Sequence, residues 1–220
     1  MTARVPIKVD IWSDIVCPWC YIGKRRFEEG LREWGGAVEV EYHSFDLLPD
    51  TPEDFGGTPI DYLVEVRGMD RDAAVGMVVQ EQAVARSVGL EFDYANAHHA
   101  RTAKAHRLLH FAKAHGKQLE VAEGLFDAYF VTRSDIGDTE NLARIAEAAG
   151  LDHRSARTAV EEDSFDKAVQ EDLKAAAAYG IRGVPFFVLD GKYGISGAQA
   201  PQVFADALAR VASERSEDRT

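Results

Sequence analysis

The chain has 220 residues, 46% of them apolar, and a formal net charge of −12, enough for a substantial core in one domain or in one domain carrying an insertion. So acidic a balance excludes nucleic acid and anionic membrane surfaces as main partners, because phosphates are held by clustered Lys and Arg. No apolar run reaches membrane-spanning length, and residues 1–8 lack a signal-peptide h-region and cleavage site, so a cytoplasmic location is expected.

Residues 5–12 have the β-branched and aromatic content of a strand. From Cys20 the run Tyr-Ile-Gly-Lys-Arg-Arg-Phe-Glu-Glu-Gly-Leu has the pattern of an amphipathic helix. Between them lie the chain's two cysteines, in Cys17-Pro18-Trp19-Cys20. Cys17 therefore stands where a helix begins, and Pro18 sits in a first turn where it loses no hydrogen bond. One helical turn brings Cys20 back beside Cys17, within reach of a small-ring disulfide. Unpaired N–H groups and the helix dipole favour a thiolate there, so the Cys17 pKa is expected below the free value of about 8.5. Asp14 is a candidate proton carrier or a cap on the helix start, and Lys24 and Arg25 would lower the thiol pKa further. Two plainer readings compete: buried free cysteines, and half of a zinc centre. A zinc centre would need a second cysteine pair or matching histidine spacing, and neither is present. In a reducing compartment such a pair is catalytic rather than structural.

After a Gly35-Gly36 turn, residues 37–45 alternate with period two, as in a half-buried strand. Strand, helix and strand then form a parallel crossover with Cys17 at the carboxyl end of its strand, where open α/β sheets present ligands. Residues 46–57 read as a loop. Helices follow: one opened by Thr58 and Pro59 and ended by Gly68, then 70–89, one capped by Asn96 and ending at Gly116, 118–131, 139–150, and a short one over 152–161. Strand-like runs are absent from this region. His106 falls on one of these helices, either as a base or as a satisfied core residue, whereas His98, His99, His110 and His115 read as solvated surface. Residues 164–180 form a further helix ended by Gly180. Residues 184–189 are a buried strand with Pro185 in its first positions, Asp190-Gly191 is a hairpin turn, and 192–196 return. Pro201 opens a last helix to about residue 211, followed by a charged, disordered tail. The resulting division is 1–49 and 164–213 as the two halves of one α/β domain, 50–163 as a helical insertion, and 214–220 as the tail. No phosphate loop, H-E-x-x-H or nucleophile-elbow serine is present.

Three stretches, Ser13-Asp14-x-x-Cys17-Pro18-Trp19-Cys20-Tyr21-x-Gly23, Ala105-His106-Arg107-Leu108 and Gly183-Val184-Pro185-Phe186-Phe187, resemble the DsbA-like thioredoxin-fold proteins. The resemblance is to the FrnE-type branch, which is similar to kappa-class glutathione transferases and 2-hydroxychromene-2-carboxylate isomerases. It covers almost the whole chain and implies an α/β thioredoxin-like fold with a large all-helical insertion whose apolar side faces the dithiol. It also implies a cis Val184–Pro185 bond against the dithiol, leaving the Val184 backbone to pair with an extended substrate while the proline ring keeps metal from bridging the thiols. Arg101-Thr102 stands where comparable members carry Asn-Thr or Asn-Ser, so a glutathione contact made by that Asn has no counterpart.

The reading is a cytosolic thiol-disulfide oxidoreductase in which Cys17 attacks a substrate disulfide and Cys20 resolves the mixed disulfide. Asp14, Pro18, Trp19, His106, Val184 and Pro185 support the pair. No bound cofactor or metal is expected, partners are protein or small-molecule thiols and disulfides, and glutathione is a candidate co-substrate. Homodimerisation through the insertion is left open by the residues, as is the direction of the reaction. With no His between the cysteines, a milder couple than that of strongly oxidising relatives is expected. Two alternatives are a glutathione-dependent isomerase or transferase acting on a small aromatic or polyketide-like substrate, and a redox-sensing module whose dithiol switches the helical lid.

Overall fold

Residues 5–52 and 55–217 are described by a computed structural model. Strand β1 (Ile7–Ser13) leads through α1 (Pro18–Trp34) to β2 (Val38–Ser44), and the two strands run parallel in the register Ile7↔Val38 to Ser13↔Ser44. β3 (Phe186–Leu189) pairs antiparallel with the other edge of β1, and β4 (Tyr193–Ser196) completes the order β2-β1-β3-β4. Asp190 and Gly191 both have positive φ, 55° and 66°, the two left-handed residues that a tight hairpin turn requires. The carboxyl-terminal half of β1 is covered on both faces, where Ile11, Trp12 and Ser13 are all buried, while Lys8 on its amino-terminal half is exposed. Ile7, Val9, Ile11, Phe187 and Leu189 share a core with Phe27 of α1 and Phe204 of α9 (Pro201–Glu217). Trp12 and Val188 point the other way, onto Ala176 of α8 (Asp166–Ala178) and Ile181. α1 and α9 pack closely where Gly30 lacks a side chain; a Cβ there would strike the Pro201 carbonyl and Phe204.

Among the described residues six α-helices separate β2 from α8: α2 (Pro59–Glu65), α3 (Arg71–Arg86), α4 (Ala103–Ala114), α5 (Gln118–Phe130), α6 (Thr139–Ala148) and α7 (His153–Glu161). The fold is thus the expected thioredoxin-like α/β arrangement with a large all-helical insertion. Thr58 and Asp61 form a reciprocal capping box on α2, and Asp70, Asp138 and Asp152 cap α3, α6 and α7 through their carboxylates.

Three expectations need correction. Asn96 caps no α-helix: it closes a 3-10 turn (Tyr94–Asn96) and donates to Asp93 Oδ1 at 2.6 Å, while α4 starts at Ala103 without a side-chain cap. The last helix continues to Glu217, so residues 214–217 are helical rather than disordered. Arg215 ties them down by pairing with Asp190 and donating to the carbonyls of Val5 and Pro6. Residues 218–220 of the expected tail, and 53–54 of the expected loop, lie outside the described residues.

The third correction concerns the histidines. His98 is half-buried and His115 exposed, but His99 and His110 are buried at 1% and 7% exposure. His99 sits among Tyr62, Phe55 and Tyr129, with Nδ1 2.9 Å from Tyr129 Oη, and burial lowers its pKa to about 4. His110 belongs to a polar cluster between α4, α8 and the sheet. Asp172 of α8 accepts from Ser44 N–H at 2.8 Å and pairs with His43 Nδ1 at 2.7 Å and His110 Nε2 at 3.0 Å. His43 Nε2 lies 2.9 Å from Asp10, and its ring stacks on Trp12 at 4.5 Å. Trp12 in turn donates to the Asp172 carbonyl at 3.1 Å. Ligating atoms of Asp10, Glu41 and His43 fall within 4.8 Å of one another, but Lys8 already supplies the cation there, 3.0 Å from Asp10 and 3.4 Å from Glu41.

Candidate active site

Cys17 is the N-cap of α1, with extended backbone angles (φ −86°, ψ 112°), and Pro18 opens the helix. Its N–H bonds to the Asp14 carbonyl at 3.2 Å and its carbonyl accepts from Cys20 N–H at 3.0 Å. Both cysteines are free thiols, each 3% exposed. Cys17 Sγ lies 3.5 Å from the carbonyl of Val184, and the Val184–Pro185 bond is cis. The strand-helix junction and the loop before β3 thus meet at one sulfur, although 167 positions separate the two residues.

Gly23, on the second turn of α1, makes room for this loop: a Cβ there would lie 2.8 Å from Pro185 Cγ and 3.4 Å from Ala198 Cβ. Gly23→Ala is therefore expected to displace the proline, lowering stability by about 1–3 kcal/mol and slowing thiol exchange. Urea unfolding and turnover of a model peptide disulfide would check both.

The acidity of the site differs from the sequence expectation. Cys17 is held well above the ordinary thiol range by its hydrogen bond with the Cys20 sulfur, by burial, and by the charges of Cys20 and Asp14. Only the Cys20 backbone N–H pulls the other way. Two adjacent sulfurs do not both ionise readily, so the neighbouring Cys20 sulfur disfavours a thiolate on Cys17. Lys24 and Arg25 do not help, because both are engaged by Glu28 and Glu123.

Asp14 is fully buried. It does not cap α1: Oδ2 accepts from Leu47 N–H at 2.8 Å, in the loop after β2. Its Oδ1 lies 3.3 Å from Nε2 of His106, which is 2% exposed and makes a 3.1 Å contact with the Phe45 carbonyl. Asp14 Oδ1 and His106 Nδ1 are buried without a hydrogen-bond partner. His106 thus reaches Asp14 rather than a sulfur. Next to Cys20, the Tyr21 ring stacks on Phe126 at 5.0 Å and Phe92 at 5.8 Å, and its hydroxyl donates to Glu123 at 2.7 Å. The redox helix is thereby fastened to the insertion.

Trp19 is 36% exposed, and on α3 burial raises the pKa of Glu81 to about 7, with the Trp19 side chain partly offsetting the rise. Glu81 went unnoticed in the sequence reading, yet a signal existed. The inward stripe of α3 is Ala74, Val78, Glu81 and Ala85, so a carboxyl occupies a position that helical periodicity reserves for an apolar residue.

Residues 8–209 match the DSBA-like thioredoxin domain. The chain belongs to that family. It is 32% identical over 204 residues to the uncharacterised protein YwbO of Bacillus subtilis, a match covering 92% of this chain and 96% of that one. The crystal structure of a probable DsbA oxidoreductase from Streptomyces coelicolor superposes with a TM-score of 0.87 at 37% identity, over 94% of this chain and 91% of that one. A cytosolic disulfide reductase, DsbM of Pseudomonas aeruginosa, solved with glutathione, shares the fold at a TM-score of 0.65 and 16% identity, over 94% and 99% of the two chains. With its Cys-Pro-Trp-Cys dithiol at the start of α1, this member of the family is a thiol-disulfide oxidoreductase.

Proposed function

We propose that this oxidoreductase acts in the cytoplasm, within the FrnE-type branch, with Cys17 as nucleophile and Cys20 as resolving thiol. The observation that carries the assignment is the meeting of Cys17 Sγ with the Val184 carbonyl at 3.5 Å. A disulfide-bearing segment lying along Val184 would present its sulfur to the thiol at the helix N-cap. Cys17 thiolate attacks one substrate sulfur and the other leaves as a thiolate. Cys20 then attacks Cys17, expelling the second substrate thiolate and leaving the Cys17–Cys20 disulfide. In reverse, the same steps oxidise a substrate dithiol. Asp14 and His106 approach to 3.3 Å in the buried interior beside the site, and the Asp14 charge disfavours a thiolate on Cys17. Pro18 and Pro185 fix the two loops that meet there, and Trp19 borders the entrance.

Substrates under this proposal are protein or small-molecule disulfides, with glutathione as co-substrate, as the glutathione-bound disulfide reductase of like fold suggests. Cys20 argues against a glutathione-activating isomerase, which has no use for a resolving thiol. No helix among the described residues is long and apolar enough to cross a membrane. A redox titration in glutathione buffers, followed by alkylation and mass spectrometry, tests the proposal. The expected result is a two-electron transition that protects Cys17 and Cys20 together. Its midpoint, set against a cytosolic poise of roughly −220 to −320 mV, separates reductant from oxidant. Glutathionylation of Cys17 with no intramolecular disulfide would overturn the mechanism.

A further inference from the structure

The redox helix carries its charge directly beyond the dithiol. Cys20, Lys24 and Glu28 stand at i, i+4 and i+8 on α1, one above another on the same face. Cys20 and Lys24 are both buried, with one turn of helix, about 6 Å of rise, between them. The Lys24 ammonium pairs with Glu28 on its own helix and with Glu123 of α5, the latter at 2.5 Å. Arg25 pairs with the same two carboxylates, donating to Glu28 at 2.9 Å and to Glu123 at 3.1 Å. Its guanidinium also lies over the Tyr21 ring, 4.9 Å from the centroid.

Two cations and two carboxylates thus form a group without net charge. Three members belong to α1; the fourth, Glu123, comes from the insertion. Burial opposes the Glu123 charge, but bonds from Arg25, Lys24 and Tyr21 hold its carboxyl down to about 2, so it is ionised throughout the neutral range. The surrounding elements add few further charges. Asp127 of α5 acts on Glu123, Asp14 of the loop after β1 precedes Cys17, and Arg26 of α1 is turned to the Ala198 carbonyl at 2.5 Å. From β2, the buried Tyr42 feels Glu28, Cys20, Glu123 and Arg25, so the sulfur and the cluster share a neighbour.

A thiolate is the attacking species in exchange, and a nearby positive charge favours it. Cations cancelled by carboxylates do not. We propose that the Lys24, Arg25, Glu28 and Glu123 cluster governs the thiolate population of the dithiol, and that Glu123 is the positioning residue through which the insertion cancels the cations beside Cys20. This rests on the oxidoreductase assignment.

The test changes the charge of the cluster one unit at a time. Glu123→Gln leaves it with one positive charge, Lys24→Met with one negative charge, and the double variant is neutral again. In the reduced protein, the pH midpoint for alkylation of the dithiol by iodoacetamide should fall by roughly half to one unit in Glu123→Gln, the scale of a unit charge about 10 Å away at a protein surface. The thiolate fraction below the midpoint then rises roughly three- to tenfold, and exchange by a smaller factor because a more acidic thiol is a weaker nucleophile. The midpoint should rise in Lys24→Met and return to the wild-type value in the double variant. Glu28→Gln opens the cluster without touching the insertion; it should match Glu123→Gln, and takes its place in the double variant where Glu123→Gln does not fold. A merely structural role lowers the urea midpoint and leaves the alkylation midpoint unmoved. That result, shifts of one sign in both single variants, or a double variant that does not return would overturn the proposal. The oxidoreductase assignment fails separately, by absence of the Cys17–Cys20 disulfide in the wild-type redox titration, whereas alkylation needs no turnover.

Discussion

Cys20→Ser should convert the protein from a catalyst into a trap. Incubated with a disulfide substrate, the variant should accumulate a covalent adduct on Cys17, visible as a mass increase equal to half the substrate and removable by dithiothreitol. Cys17→Ser should give no adduct and should lose turnover by on the order of 10³- to 10⁶-fold, the range seen when a covalent nucleophile is deleted. The asymmetry follows from the site. Cys17 is the residue at the helix N-cap whose sulfur meets the Val184 carbonyl, whereas Cys20 lies one turn into the helix. An adduct forming equally well on Cys20 in the Cys17→Ser protein would reverse the two roles.

The second large effect concerns stability. Asp172→Ala removes the shared acceptor of Ser44 N–H, His43 and His110. Stranding buried partners in this way costs about 3–5 kcal/mol, to be read as a drop in the urea midpoint. The same cluster gives stability a pH dependence of definite sign. Burial by itself would lower the His43 pKa, but its hydrogen bonds to Asp10 and Asp172 raise it to about 9 from the usual 6.5. The folded protein therefore holds a proton that the unfolded chain releases earlier. This contribution, about 3 kcal/mol from the size of the shift, is complete below pH 6.5 and is lost as pH rises through 9. Asp172 works in the opposite direction. Burial opposes its ionisation, yet His110 and His43 hold it well below the usual carboxylate range, so its contribution is present above pH 3.8 and fades only in stronger acid. Urea midpoints should accordingly hold between about pH 4 and 6.5 and fall towards pH 9, and Asp172→Ala should flatten the alkaline decline. A midpoint constant from pH 6 to 10 would contradict the assignment.

The architecture was legible because its signals are local: the period-two run of residues 37–45, the Thr58-Pro59 helix start, an Asp-Gly turn and a C-x-x-C at a strand-helix junction. What escaped was polar and long-range. His99, His110 and Asp172 look like surface residues in sequence, and they become interior only because partners from distant segments satisfy them. The helix position of Cys17 argued for a low pKa, but that argument considered the helix alone. Cys20, burial and Asp14 act against it, and the cations expected to assist are taken up by Glu28 and Glu123. Glu81 and Asp172 shared an overlooked trait: each is an acid on the inward stripe of its helix.

The placement of β1 also shapes how the protein is made. Its parallel partner β2 follows at once, while its antiparallel partner β3 arrives only after the whole insertion. A ribosome delivering the chain from its N-terminus would release both thiols long before the loop that Cys17 faces, leaving one edge of the central strand unpaired in the meantime. Contacts of such large sequence separation slow folding. A nascent chain of this design has a dithiol but no completed active site until the last strands are in place.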